Sequence, residues 1–453
     1  MAISSELARR LMRITAAVAA ALVLIGLIGA LSLHAYGSYR LDRARAEFDA
    51  SWGHLTSIPT PPDLPDHENG ARWLAAGGFA LVWSLDDQKF IGELSGRSTD
   101  TWTDTDVSRA RWILHEQQNA LALLLRSGTV EGFHIGTVGM TTRHDQIPLL
   151  DIIKGLRLLT VEARLAWYEG RAADALAALR AVGRAADGLV RTTVVISSYA
   201  GAAAMRWAAS GAAEIVTDPC ARPAILEELQ TTLPVEDPSY WADKTMATQV
   251  AEIATEGLDY IEDFHDPAMG WSIPFWVPSR FLLEDLFVAQ ILDRWTRHLE
   301  VGQGPAADWP QSPGDEIWGD ATWPPWLALA GSVTPNMLSG RAQAQAASTE
   351  MQQLLLALDL RFAAPDGLER DGCGLVDLGS PTALTGKAVT CRYDVDLDAI
   401  VVEVSGAEGT LEGHTSAGNH NSRFRPIVMP VGPRDELCDE ARRWWEGTGI
   451  GIE

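Results

Sequence analysis

The chain has 453 residues, 47% of them hydrophobic, and its 36 Lys and Arg stand against 60 Asp and Glu for a formal net charge of −24. That length exceeds one ordinary core, so two or three structural units are expected, and the composition excludes a collagen-like or extensively disordered chain. A surface this acidic repels phosphate backbones and anionic headgroups, which argues against nucleic-acid binding and polybasic lipid docking.

Residues 1–13 form a short tail carrying Arg9, Arg10 and Arg13. Ile14 to Leu33, ITAAVAAALVLIGLIGALSL, then runs without a charge, which is about the ~20 residues a helix needs to cross a bilayer core. The flanking arginines favour a cytoplasmic N-terminus. A cleaved signal peptide has a shorter apolar stretch, roughly 7–15 residues, before a small-x-small site. Ala30-Leu31-Ser32 is a passable site, but YGSYRLDRARAEFDASW continues as helix. An uncleaved transmembrane anchor over 14–33 is therefore expected, with the rest of the chain outside the cytoplasm.

Residues 34–67 join a juxtamembrane helix to an extended spacer, because IPTPPDLPDHEN from Ile58 to Asn69 holds four prolines. A helical ectodomain is expected over 68–301. GARWLAAGGFALVW resumes a helical pattern, and LSGRSTDTWTDTD offers Thr and Asp caps to RARWILHEQQNALALLL. LLDIIKGLRLLTVEARLAWYEG has apolar residues at three- and four-residue spacing, stops at Gly170 and restarts as RAADALAALRAVGRAADGL. Ala163, Gly170, Ala175 and Leu179 fall where a tetratricopeptide hairpin places its small and packing residues. A single such unit also fits a generic helical hairpin. ISSYAGAAAMRWAASGAAEIV is interrupted by Arg206 and Glu214, which marks a buried core helix rather than a second membrane span.

Residues 302–336 break into a Trp-, Pro- and Gly-rich loop, and a long helix follows over 337–363. CGLVDL, KAVTCRY, AIVVEV and RFRPIVMP are β-like runs in a small unit over 364–431, and 432–453 closes the chain as a helix. The expected fold is mainly α: an N-terminal transmembrane helix, a helical-hairpin bundle or short solenoid as ectodomain, and a small C-terminal antiparallel β unit.

Four cysteines in an oxidising compartment permit two disulfides in three pairings. Cys373 and Cys391 bracket the β-like region and are the preferred pair, leaving Cys220 with Cys438. Asp394, Asp396 and Asp398 have a D-x-D-x-D spacing with which a loop can offer three carboxylates to calcium. An EF-type loop wants Gly at Ala399 and Glu at Ser405 and is flanked by helices, whereas strand alternation flanks these residues. A solvent-facing hairpin turn is the favoured reading, and no cofactor is predicted beyond that calcium alternative. Glu262, Asp263, His265 and Asp266 cluster before Pro267 and fit a solvated helix end better than a cation site. Trp271, Trp276, Trp309, Trp318, Trp323 and Trp326 are candidates for stacking on a ligand or partner if exposed, and for filling the core if buried.

PDHENGARWLAAGGFAL, the hairpin turn from Glu169 to Leu176, and Pro335-Asn336 leading into LLLALDLRF carry a resemblance. The chain resembles a loose group of uncharacterised bacterial single-pass envelope proteins with a helical, tetratricopeptide-like ectodomain. Pro381, Gly386, Lys387 and Tyr393 give its C-terminal segment a faint similarity to type II secretion pseudopilins. No Gly-Phe-Thr-Leu-Ile-Glu precedes the membrane helix, and AAPDGLERDG stands where those pseudopilins have Gly-x-Tyr-Pro. The resemblance implies an inner-membrane protein with its bulk periplasmic or extracellular, and no chemistry. Nucleophile elbows, zinc-peptidase helices and phosphate-binding loops are absent from the sequence. A membrane-anchored binding or scaffolding protein with an envelope protein partner is the expectation. A hydrolase of envelope glycan or peptide, using acidic residues near the Trp-rich loop, is the alternative.

Overall fold

The computed structural model describes residues 5–56, 64–135, 149–192, 195–256, 277–309, 337–376, 380–407, 410 and 424–439. These are mainly helical, with small antiparallel sheets near the C-terminal end. The chain divides into one unit of Met1–His54, Val250–His298 and Gly314–Pro335, and a second of Leu55–Gln249, Leu299–Pro313 and Asn336–Glu453.

In the first unit, helix α1 (Ser5–Trp52) runs unbroken for 48 residues, about 70 Å at 1.5 Å per residue. Its two halves differ. Val23, Ile25 and Leu27 are exposed, and this part of the helix is long and apolar enough to cross a membrane. Leu41, Ala44, Phe48 and Trp52, at three- and four-residue spacing, are buried instead. This second half is fastened to the 277–298 segment and to Ala254. Ser38 donates to Asp285 at 2.5 Å, Arg40 pairs with Asp293 at 2.6 Å, and Arg45 donates to the Ala254 carbonyl. Gly37 permits the approach, since a Cβ there would lie 3.3 Å from side-chain atoms of both Asp285 and Leu286.

In the second unit, Asn69 caps α2 (Gly70–Ala80). Its side chain accepts from the Ala71 and His134 N–H groups and donates to the His134 carbonyl, so one buried amide starts the helix and pins a distant strand of chain. Helices α3 (Leu85–Leu94), α4 (Asp104–Glu116) and α5 (Gln118–Ser127) follow. Thr103 and Asp106 close a reciprocal capping box at the start of α4. The expected hairpin is α6 (Leu149–Tyr168) and α7 (Ala172–Val190), turned at Gly170 with φ +74°. Ala163, Ala175 and Leu179 are buried along its seam.

Helix α8 (Val195–Thr217) is buried along most of its length and packs on α6 and α7. After α9 (Pro223–Thr232), α10 (Pro238–Glu256) and α11 (Val277–Val301), the last long helix is α12 (Met337–Ala363). Helix α12 carries polar residues every fourth position or eighth: Arg341, Gln345, Thr349, Gln353 and Arg361, each at most 8% exposed. Burial this deep demands partners, and all five have them. Arg341 pairs with Asp243 at 2.6 Å and donates to the Leu299 carbonyl. Gln345 bridges the Gly304 carbonyl and the Ala306 N–H, and Thr349 accepts from the Leu384 N–H. Gln353 donates to the carbonyls of Val402 and Arg425. Arg361 collects the carbonyls of Val216, Asp218 and Ala221, where α8 ends.

The C-terminal β unit is a three-stranded antiparallel sheet of β2 (Thr390–Asp394), β3 (Ala399–Glu403) and β4 (Ile427–Pro430) in that order, beside a two-stranded ladder of β1 (Gly367–Leu368) with β5 (Gly432–Pro433). Central strand β3 is buried from Ala399 to Val402. Two details differ from the sequence expectation. The described start of CGLVDL is not a strand: Gly372–Leu375 form a 3₁₀ turn, held by Cys373 against β2 and by Gly372 under Ile400, where a Cβ would sit 2.8 Å from Cδ1. Residues 432–433 pair with β1, and helical backbone starts at Arg434 rather than at 432.

Candidate functional site

Disulfides join Cys373 to Cys391 and Cys220 to Cys438. The first fixes the 3₁₀ turn to β2, and the second fixes the last described helical turn beside the end of α8.

Asp394–Asp398 form the turn between β2 and β3, with Asp394 opposite Ala399 in the register. The Asp394 carboxylate takes Arg392 at 2.5 Å and the N–H groups of Asp396 and Leu397, an Asx-type turn. Those hydrogen bonds, the one from Arg392 foremost, hold its pKa below the usual carboxylate range. Asp398 has φ 44° and accepts from the Tyr393 hydroxyl, with Arg370 3.5 Å away. Asp396 is exposed. Among the described residues, no three His, Cys, Asp or Glu side chains are grouped so as to hold a metal ion.

Trp309 is 5% exposed, with the Arg341 guanidinium 5.6 Å from its ring centre, so its face belongs to the core. Trp271, Trp276, Trp318, Trp323 and Trp326 lie outside the described residues, as do Glu262, Asp263, His265 and Asp266.

The structure brings other residues together. A cleft of about 420 Å³ opens between α8, α12, the 95–100 segment and β4 with its preceding residues. Helix α8 offers one face to it, with Tyr199, Ala203, Arg206, Ser210, Glu214 and Thr217 at three- and four-residue spacing. Opposite stand Gln343, Glu350 and Gln353 of α12, and Arg425 to Val428 complete the rim.

Two ion pairs are built into its walls. Arg206 reaches one Glu350 oxygen with Nε at 3.0 Å and Nη2 at 2.8 Å, and its Nη1 donates to Gln343 at 2.7 Å. Arg164 of α6 is fully buried behind the cleft. Its Nε lies 3.4 Å from Glu214, one terminal nitrogen donates to Ser210, and the other reaches the Leu94 and Arg97 carbonyls. Glu214 also accepts from the Thr99 N–H and hydroxyl. Burial pushes Glu214 and Glu350 above the ordinary glutamate range, with Arg164 and Arg206 acting in the opposite direction. Burial likewise lowers Arg164. Both carboxylates are thus occupied by protein donors, and no His or Cys lines the cleft among the described residues. This is the chemistry of a preorganised binding wall: fixed polar groups beside apolar ones, in the size range of small-molecule sites.

The sequence marks Arg206 and Glu214 as interruptions in an apolar helix, but their partners Glu350 and Arg164 lie in helices where charged residues look ordinary. Gln343, Asp100 and Arg425 carried no signal either. No protein-family model, curated protein or solved structure matches the chain.

Proposed function

We propose that this chain is a single-pass, membrane-anchored binding protein of the bacterial envelope, with its N-terminus cytoplasmic and its ligand cleft on the periplasmic or extracellular side. The long apolar N-terminal helix is compatible with a membrane anchor, and two disulfides suggest an oxidising compartment. Arg9, Arg10 and Arg13 supply the orientation. The resemblance to single-pass envelope proteins points the same way, and the α6–α7 hairpin is the part that likens the chain to tetratricopeptide scaffolds.

The observation that carries the binding reading is the cleft between α8 and α12, whose walls are fixed by two ion pairs. Fixed side chains lower the ordering cost of binding. The test is to screen the full chain in detergent micelles against a small-molecule and short-peptide library by thermal shift, in parallel with Ala203→Phe, which fills the cleft. The reading expects hits that Ala203→Phe loses while keeping its helical circular dichroism. No hits, or hits indifferent to Ala203→Phe, contradict it.

A further inference from the structure

The segment FALVWSL, Phe79 to Leu85, joins α2 to α3 and carries no charge. Phe79, Val82 and Leu85 are 81%, 82% and 84% exposed, more than any large apolar side chain of α1. Two contacts lay this segment along α4: Arg109 pairs with Asp87 at 2.7 Å, and Gln117 bonds to Val82. Trp112, 56% exposed, lies on the stretch of α4 between those contacts. On the α6 side the Asp151 backbone abuts Gly78, and its neighbour Leu150 is 74% exposed. Large apolar side chains gathered in this way at a surface mark a protein or membrane contact.

The segment is also held in place. The Gln117 side chain, 8% exposed, accepts from the Val82 N–H at 3.0 Å and donates to the Val82 carbonyl at 2.7 Å. Ser84 caps α3 by accepting from the Asp87 N–H. Hydrocarbon offers backbone groups no hydrogen-bond partners, so those that approach it must be satisfied from within the protein. At Val82 one buried amide does this for both groups. Arg109 neutralises Asp87, while Asp86, exposed and next after Leu85, limits entry to the headgroup boundary.

The tether favours lipid as the occupant. Helix α1 continues past Leu33 to Trp52, about 28 Å at 1.5 Å per residue. The chain from Trp52 to Leu64 spans up to about 40 Å when extended, so α2 is free to return to the bilayer. A tethered surface meets that bilayer at high effective concentration, and weak apolar contacts then suffice. Resting on the reading of α1 as an uncleaved anchor, we propose that this surface docks on the bilayer that holds the chain. Phe79, Val82 and Leu85 enter the boundary between headgroups and acyl chains, with Trp112 at headgroup level, where tryptophan is favoured. With a net charge of −24, the attraction is apolar rather than electrostatic, so the lipid is zwitterionic and anionic headgroups oppose docking.

The four cysteines are all disulfide-bonded, so an environment-sensitive NBD dye on Val82→Cys reports that site alone. The bonds from Gln117 go to the Val82 backbone, so the substitution keeps them, and a thermal melt checks the fold. The labelled full chain is reconstituted singly into phosphatidylcholine nanodiscs whose acyl chains carry a nitroxide near the headgroup. NBD emission at Val82 is expected to shift to the blue and be quenched by the nitroxide. The same dye on Val235→Cys, 85% exposed elsewhere in the same unit, should show neither effect. Phe79→Ser with Leu85→Ser should abolish the quenching at Val82, and phosphatidylglycerol discs should weaken it. Emission at Val82 that matches Val235 overturns the docking, while a chain that still co-elutes with the disc keeps its anchor. A blue shift without quenching places a second copy or another protein on the surface and also overturns it. A chain that does not enter the discs removes the anchor reading and the docking with it.

Discussion

Arg206 and Glu350 lie 144 residues apart and meet through two donor contacts on one carboxylate oxygen, which ties α8 to α12 at the wall of the cleft. The Arg206 side chain is 7% exposed and that of Glu350 15%. Removing only the cation strands a buried carboxylate, and breaking such a pair costs about 3–5 kcal/mol. Arg206→Met should therefore lower stability by roughly 3 kcal/mol at neutral pH in urea melts, and Arg206→Met with Glu350→Gln should recover most of the loss. The pH dependence has a definite sign. Burial already sets Glu350 above its unfolded value despite Arg206. Its contribution is thus fully present below the unfolded pKa and lost as pH rises through the folded one. Without Arg206 the folded value climbs further, so the deficit of Arg206→Met should shrink on acidification. A deficit that is constant with pH contradicts this.

Arg157 offers the opposite case. It is a part-buried guanidinium of α6 with no ion pair among the described residues and an unbonded Nε, stacked 5.7 Å from the Trp207 ring centre. Burial lowers its pKa. Replacing an uncompensated buried charge by an apolar chain of similar length is often stabilising. Arg157→Met should leave stability unchanged or raise it by about 1 kcal/mol in the same melts, the lost cation–π contact offsetting part of the gain. A loss beyond about 1 kcal/mol would show the stacking to be the larger effect.

Gly78 lets α2 lie against α6: a Cβ there would fall 2.0 Å from the Asp151 carbonyl oxygen. Backbone cannot yield as a side chain can, so Gly78→Ala should cost about 3 kcal/mol. Gly92 is the control. Its Cβ would meet only the end of Arg157 at 3.4 Å, and Gly92→Ala should be neutral or stabilising by up to about 1 kcal/mol through helix propensity. Equal melting shifts for the two would refute the close approach.

The disulfides predict a chain without free thiols. Alkylation under denaturing, non-reducing conditions should label none of the four cysteines. Non-reducing digestion should yield Cys220 linked to Cys438 and Cys373 linked to Cys391. Because 218 residues separate Cys220 from Cys438, replacing both by serine should cost about 2–5 kcal/mol. Any other linked peptide overturns the pairing.

What could be read from the sequence followed local rules. The C-terminal end of the last long helix, the α6–α7 hairpin with its glycine, and the Asp394–Asp398 turn between alternating strands are all set by near neighbours in sequence. Arg206 and Glu214 stood out because an apolar helix rarely carries charge. The cleft did not stand out, since it depends on which helix lies across from α8, a contact 144 residues distant. The seam from Arg341 to Arg361 has no mark in the sequence, because only tertiary packing buries it. CGLVDL has strand-like composition, but a disulfide and a close glycine contact hold its first three residues in a turn.

The proposed function requires an uncleaved helix that anchors a cleft-bearing unit outside the cytoplasm. Protease added to intact spheroplasts expressing the chain with an N-terminal tag tests it most directly. The account predicts digestion of the bulk of the chain from outside and a membrane-bound fragment that still carries the tag. A chain protected until the membrane is lysed, or a mature chain already lacking the tag, contradicts it.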